Sequence, residues 1–279
     1  HSSGIDLTLV DAPSVIEMGE HPATAVRHKR DSSIVVGTKL IKDGEVDAFV
    51  SAGNSGAMMA AAFFLLGMIK GIDRPAIGTV FPTQDGRVFL VDVGANVECR
   101  PQHLLQFGLM ASAYVEHVLA VEQPRVALLS TGEEESKGGA VIQEAHNLLR
   151  ASHLRFVGNC DAKDIPRGVV DIVVSDGFAG NVALKMGEGT AEVLLELLRR
   201  ELRRTVTTRL AALIIKPGLR RVLRLMDYEE YGGAPLLGVN GVSIISHGRS
   251  GRRAIANAVG VAKRSVDEDI VGTIERELA

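Results

Sequence analysis

The chain has 279 residues, long enough to bury a sizeable core in one large α/β domain or in one such domain with a helical projection, and its 46% hydrophobic and 23% charged content is that of a folded protein rather than a disordered chain. Its formal net charge of -3 gives no global attraction to nucleic acid or to an anionic membrane. Two cysteines, Cys99 and Cys160, supply neither a disulfide framework nor a zinc cluster, and a reducing cytoplasm is the compartment they fit.

In chain order, IDLTLVDAP reads as a strand, PATAVRHKRDSSIVVGTKLIKDG as helical material closed by glycine, and Asp47 to Ser51 as the next strand. AMMAAAFFLLGMI is apolar but too short to cross a bilayer, and it reads as a buried helix. RVFLVDVG is a strand, PQHLLQFGLMASAYVEHVL an apolar-striped helix, RVALLST a strand, VIQEAHNLLRAS a helix, and LRFVGN and DIVVSDG two further strands. Apolar strands separated by helices predict a mostly parallel sheet covered on both faces.

Composition changes after Gly189, where two amphipathic helices are expected on either side of Pro217-Gly218, forming a projection over 190–228. Nine basic residues stand between Arg199 and Arg224 against one acidic residue, Glu201. This contrast fits either a face with an apolar seam against a partner subunit or a surface for an anionic membrane or acidic protein. The interleaved leucines and isoleucines argue against nucleic acid. SIISHG then reads as a short strand and turn, and AIANAVGVAKRSVDEDIVGTIEREL as one closing helix.

Four strand ends carry glycine-rich turns: VSAGNSGA at 50–57, VDVGANVE at 91–98, LSTGEEESKGG at 129–139 and VSDGFAGNVALK at 174–185. In an open parallel sheet such turns converge on one crevice, where Gly53, Gly56, Gly94, Gly177 and Gly180 let backbone amides approach an anion. The same glycines also satisfy ordinary turns. None of the turns is a P-loop or a dinucleotide fingerprint, so neither ATP nor NAD is implied. Lys137 either balances Glu133-Glu134-Glu135 or reaches an anionic substrate, and Lys185, four residues after Asn181, faces the same way if a helix starts there. Asp92 and Asp176 are suited to accepting loop amides or orienting a cation. Asn54, Asn96 and Asn181 are suited either to turns or to donating amide hydrogens to phosphate or an oxyanion. The eight histidines form no metal motif, and His247 is the one placed beside a functional turn. Cys99 has no evident activating partner that would make it a nucleophile.

The ordered set SAGNSGA (51–57), KGIDRPAIG (70–78), DVGANVE (92–98), STGEEESKG (130–138), SDGFAGNVALK (175–185), YGGAPLLG (231–238) and HG (247–248) resembles the bacterial phosphate acyltransferase family usually called PlsX. The resemblance covers nearly all of residues 5–275 and implies one α/β domain over 5–279. It implies transfer of a long fatty-acyl group from an acyl carrier protein thioester to inorganic phosphate, giving acyl phosphate for phospholipid synthesis, with no cofactor and no metal. It also implies a three-layer α/β/α Rossmann-like sandwich of the isocitrate/isopropylmalate dehydrogenase type, and a cytoplasmic homodimer that touches the inner face of the membrane peripherally. On the matching motifs, Lys137, Asn181, Lys185 and Asp92 are the expected catalytic residues. Ser51, Gly53, Asn54, Ser55, Gly56, Asn96, Thr131, Asp176, Gly177, Gly180 and His247 are expected to bind phosphate or substrate, and Arg220, Arg221 and Arg224 to face the membrane or the acidic carrier protein. The family's opening segment, with its DAMGGD-like loop, is not in this sequence, so sheet and site are expected to be incomplete. A short-chain transferase using a coenzyme A thioester and a carrier- or membrane-binding scaffold are the competing readings.

Overall fold

The computed structural model describes residues 6–84, 86–225 and 232–278, apart from the side chains of Arg224 and Leu225. In chain order the elements are α1 (Pro22–His28), α2 (Ser33–Lys42), β1 (Ala48–Ser51), α3 (Ser55–Ala61), a π-helical turn (Ala62–Leu66), β2 (Ala76–Thr83), β3 (Gly86–Val91) and α4 (Pro101–His117). There follow β4 (Val126–Ser130), α5 (Ala140–Ala151), β5 (Phe156–Asp161), a 3-10 turn (Ala162–Arg167), β6 (Ile172–Val174), α6 (Gly177–Leu202), α7 (Val206–Leu225), β7 (Ala234–Leu237), β8 (Val242–Ile245), α8 (Arg252–Asp267) and α9 (Ile270–Leu278).

The strands form one sheet in the order β1-β8-β7-β2-β3-β6-β4-β5. Side chains alternate across it, as the pleat requires. Phe89 and Val91 of β3, Leu128 of β4, Ile172 of β6 and Ile244 of β8 enter a core with α4, α5, α8 and α9. Val88 and Leu90, Ala127, Val173 and Ile245 from the same strands enter a second core with α1, α2, α3 and the start of α6. Both faces are therefore covered, which is why these strands read as unbroken apolar runs. Burial of each large side chain, such as Phe107 and Leu104 at 0% exposure, stabilises the fold by about 1.5–3 kcal/mol.

Several sequence expectations are corrected. The sheet is mixed: four neighbouring pairs are parallel and three, those joining β8, β7, β2 and β3, are antiparallel. Strands β2 and β7 were not legible because glycine and proline break their apolar pattern; Pro82 lies opposite Arg87 and Pro235 opposite Ile244. IDLTLVDAP forms no strand within residues 6–13, and Leu9 is 98% exposed, since alternation without a pairing partner gives no ladder. The break between the long helices falls near Arg203 to Thr205 rather than at Pro217, which lies inside α7. There Thr205 Oγ1 accepts the Thr208 amide at 3.1 Å and Thr208 Oγ1 accepts the Thr205 amide at 3.0 Å, a reciprocal cap that starts α7. The expected closing helix is split into α8 and α9 at Asp269, whose φ is 43° and whose Oδ1 accepts the Gly272 amide at 3.2 Å.

Gly78 marks the tightest place between β2 and β3. A Cβ there would sit 2.1 Å from the Phe89 ring, which is itself stacked on Tyr114 at 5.0 Å and has no room to move. Gly78→Ala is expected to cost about 1–3 kcal/mol by overpacking. Urea unfolding followed by circular dichroism would show a lower midpoint at unchanged slope.

Candidate functional site

The relative strand directions place the predicted turns. β1, β8 and β2 run one way, and β7, β3, β6, β4 and β5 run the other. The turns after β3, β4 and β6 thus open at one end of the sheet, and those after β1 and β8 at the opposite end. The single crevice expected from a parallel sheet is corrected to two groups of turns, because β2 and β7 reverse the direction midway.

At the first end, Asp92 is fully buried, with 0% exposure. Its Oδ1 accepts the amides of Ile77, Gly94 and Ala95 at 3.0–3.1 Å, and its Oδ2 accepts the Asn96 amide at 2.7 Å and Asn96 Nδ2 at 2.9 Å. Burial holds this carboxyl above the usual carboxylate value against the pull of those donors. The turn after β6 locks onto the same residue. Ser175 Oγ donates to the Asp92 carbonyl at 3.0 Å, and the Gly177 amide donates to the Asn96 carbonyl at 2.7 Å. A Cβ on Gly180 would lie 2.0 Å from the Asp92 carbonyl oxygen, so only glycine lets α6 come this close. Asp176 caps α6 by accepting the Ala179 amide at 2.7 Å.

Helix α6 joins the two ends. Gly180, Ala183, Leu184 and Gly187 face the sheet, where Gly187 lies so close to the Phe81 ring that a Cβ would be 2.9 Å away. Asn181, Lys185, Glu188 and Glu192 follow helical spacing along a different stripe. Desolvation raises the Glu188 carboxyl, His247 opposes the rise, Glu192 adds to it, and Lys185 opposes it. His247, in the turn after β8, therefore lies within electrostatic reach of the middle of α6. Its neighbour Gly248 is close to the turn after β1, because a Cβ on it would be 3.8 Å from the Ala52 carbonyl.

The three candidate asparagines separate cleanly. Asn54 Oδ1 accepts the Ala57 amide at 3.0 Å and its Nδ2 donates to the Glu17 carbonyl at 3.0 Å, so this side chain caps α3 and ties down residues 17–18. Asn96 Nδ2 donates to Asp92 and, at 2.7 Å, to the Pro75 carbonyl. Asn181 alone has no side-chain hydrogen bond among the described residues, and it stands beside Gly94. The Gly53 amide is likewise occupied, donating to Ser51 Oγ at 3.1 Å, and Gly56 leaves room for Pro22. Ser55 opens α3, half-buried.

Thr131 and Lys137 are exposed in the turn after β4, which is pinned where Asn159 Nδ2 donates to the Glu134 carbonyl at 2.9 Å. Glu135 pairs with Arg150 at 2.8 Å, whereas Lys137 forms no ion pair among the described residues. Gly139 caps α5 without a side chain, and the Ala140 and Val141 amides that follow have no hydrogen-bond partner among the described residues. Arg220 and Arg221 are exposed on α7, and the side chain of Arg224 and residues 226–228 of the expected projection lie outside the described residues. Sequence reasoning missed Ser175 and Glu188. The second was detectable, because it is three residues beyond Lys185 on a helix.

The fatty acid synthesis protein family matches residues 1–272 of the chain. A phosphate acyltransferase of Desulfitobacterium hafniense is 53% identical over 269 residues, spanning 96% of this chain and 80% of the relative. The chain belongs to the PlsX family of phosphate acyltransferases. The Pelotomaculum thermopropionicum member is 51% identical over 273 residues, with 96% and 80% covered. Among solved structures, the phosphotransacetylase of Staphylococcus aureus aligns with a TM-score of 0.55 at 16% identity, over 85% of this chain and 68% of that one. That of Streptococcus pyogenes aligns with a TM-score of 0.54 at 18% identity, over 91% and 69%. The isocitrate/isopropylmalate dehydrogenase type implied by the resemblance is thereby corrected: the fold is the α/β sandwich of the phosphotransacetylases and phosphate acyltransferases. Alternating elements predict layers, but strand order and turn geometry separate one sandwich from another, and both depend on contacts distant in sequence.

Burial, with the Asp92 and Asp176 carboxylates adding, pushes the Cys99 thiol up to about 12. Little thiolate then exists at neutral pH. With a disulfide reagent at pH 7 the folded acyltransferase should leave Cys99 largely unlabelled, and urea should expose it to rapid reaction. Cys99→Ala is expected to retain turnover, and its loss would point to a covalent thiol role.

Proposed function

We propose that this acyltransferase moves a fatty-acyl group from an acyl carrier protein thioester to inorganic phosphate, with Asn181 and Lys185 of α6 and Lys137 before α5 as the anion-binding donors. As a family member it is an enzyme of acyl transfer to phosphate, in the service of phospholipid synthesis. The observation that carries the assignment of donors is the contrast among the asparagines: Asn54 and Asn96 are spent on the fold, while the Asn181 amide has no partner among the described residues and lies one helical turn from Lys185.

In this reading a phosphate oxygen attacks the thioester carbonyl carbon. The new C–O bond forms, the C–S bond breaks, and the departing thiolate takes up a proton. Phosphate is already anionic at neutral pH, so the protein's task is to orient it and to stabilise the oxyanion that develops on the carbonyl. No enzyme thiol is needed, in keeping with the raised Cys99. Asp92 touches no substrate here; it positions the 92–98 turn and the start of α6, while Asp176 holds the helix end. The turn at Ser51 to Gly56, with His247 across from α6, lines the far part of the same wall.

Lys137→Ala and Asn181→Ala should each lower turnover about 10²- to 10³-fold, the usual cost of one lost oxyanion donor, with the urea midpoint nearly unchanged. The assay is direct detection of acyl phosphate from long-chain acyl carrier protein and phosphate. Faster product from acetyl coenzyme A in the same assay would favour the short-chain reading instead.

The peripheral membrane contact is proposed at α7. Leu210, Leu213 and Ile214 are 59%, 65% and 81% exposed beside Arg209, Lys216, Arg220 and Arg221, an amphipathic and basic face. No helix among the described residues is long and apolar enough to cross a membrane. Leu213→Asp with Ile214→Asp should abolish flotation with phosphatidylglycerol vesicles; a change in oligomer mass with flotation intact would assign the face to a second copy.

A further inference from the structure

Away from α6, helices α1 and α2 and the π-helical turn frame a groove of ≈ 460 Å³. Arg27, Arg30 and Lys39 form its rim, and all three are exposed. Val26, Val35 and Leu65 line its interior, and Phe64 stands at 41% exposure with the Arg27 guanidinium 4.8 Å from its ring centroid. The π-helical turn follows directly on α3, and single π-helical turns within helices are frequent at functional sites.

Charge is distributed unevenly along Arg27-His28-Lys29-Arg30. Lys29 is neutralised by Glu20 at 2.8 Å and takes no part in the groove. Arg27, Arg30 and Lys39 form no ion pair among the described residues. A concave slot with an apolar interior, a half-open aromatic ring and three uncompensated cations selects an anionic partner that also offers an apolar side chain. A bilayer presents a flat surface and is matched by the convex face of α7, not by a slot.

We propose that this groove docks the acyl carrier protein, an acidic segment of which lies across Arg27, Arg30 and Lys39 while one of its apolar side chains enters beside Phe64. The inference rests on the reading that the acyl donor is a carrier-bound thioester. Position supports it: the groove and the Ser51 to Gly56 turn are the two ends of one helical segment, residues 55–66, about 17 Å apart at the helical rise. A carrier seated at one end can extend its acyl-bearing arm along α3 toward the other.

The test measures binding of fluorescently labelled acyl carrier protein to the full chain by anisotropy, without phosphate, alongside steady-state turnover. The triple variant Arg27→Glu, Arg30→Glu, Lys39→Glu should weaken carrier binding by about tenfold or more and flatten its salt dependence. KM for the carrier thioester should rise in parallel, while kcat and KM for phosphate stay within about twofold. Phe64→Ala, which changes no charge, should weaken binding by a smaller factor. Lys39→Glu alone serves as a variant with minimal risk to folding and should weaken binding in the same direction. Unchanged carrier affinity in these variants overturns the proposal. Loss of phosphatidylglycerol vesicle binding with carrier affinity intact would assign the groove to lipid, and a changed oligomer mass with carrier affinity intact would assign it to a second copy. Because binding is read apart from chemistry, a chain that binds carrier through the groove yet forms no acyl phosphate would sink the transferase reading and leave the docking site standing. A wild-type chain that binds no carrier overturns the docking site.

Discussion

The buried carboxyl of Asp92 is the group around which the candidate site is organised. Four backbone amides and one side-chain amide converge on its two oxygens, and the buried Ile77 amide among them could not be left unpaired without a cost of about 1–3 kcal/mol. Its own main chain then bonds Ser175 in both directions, which fixes the end of β3 against the end of β6. The close approach of Gly180 follows from this junction, and the start and direction of α6 follow from that approach.

Helix α6 converts a difficulty of the sheet into a usable wall. Reversal of direction at β2 and β7 sends the turns after β1 and β8 to the end opposite those after β3, β4 and β6. A parallel sheet would have gathered these turns at one edge by topology alone. Here a helix that starts at Gly177, packs on Asp92 through Gly180 and passes Phe81 at Gly187 carries Asn181, Lys185 and Glu188 between the two groups. Two glycines on its sheet side, Gly180 and Gly187, allow the contact, and the polar stripe lies along the helix at the complementary spacing.

Apolar and basic surface is also divided by shape. The face of α7 is convex, mostly apolar and fringed by arginine and lysine, whereas the groove by α1 and α2 is concave and rimmed by cations that no described carboxylate neutralises. A net charge of -3 conceals both, because opposite charges elsewhere in the chain cancel them in the sum. Local arrangement, not total charge, decides which partner each surface can attract.

The sequence by itself determined the layered α/β class, the elements with strong periodicity, the glycine turns and the family, because each of these is written in local spacing or in an ordered run of motifs. Asp92 was legible as an amide-accepting residue at a strand end, and Asn181 with Lys185 as a pair one helical turn apart. The sequence could not separate Asn181 from Asn54 and Asn96, since the three have the same chemistry and similar glycine-rich surroundings. Only the tertiary structure decided that two of them are consumed by contacts with residues such as Glu17 and Pro75, far away in the chain. It also decided the mixed sheet and the phosphotransacetylase-like type of sandwich. Strand order and direction come from pairing between segments scores of residues apart, and no local period carries that information.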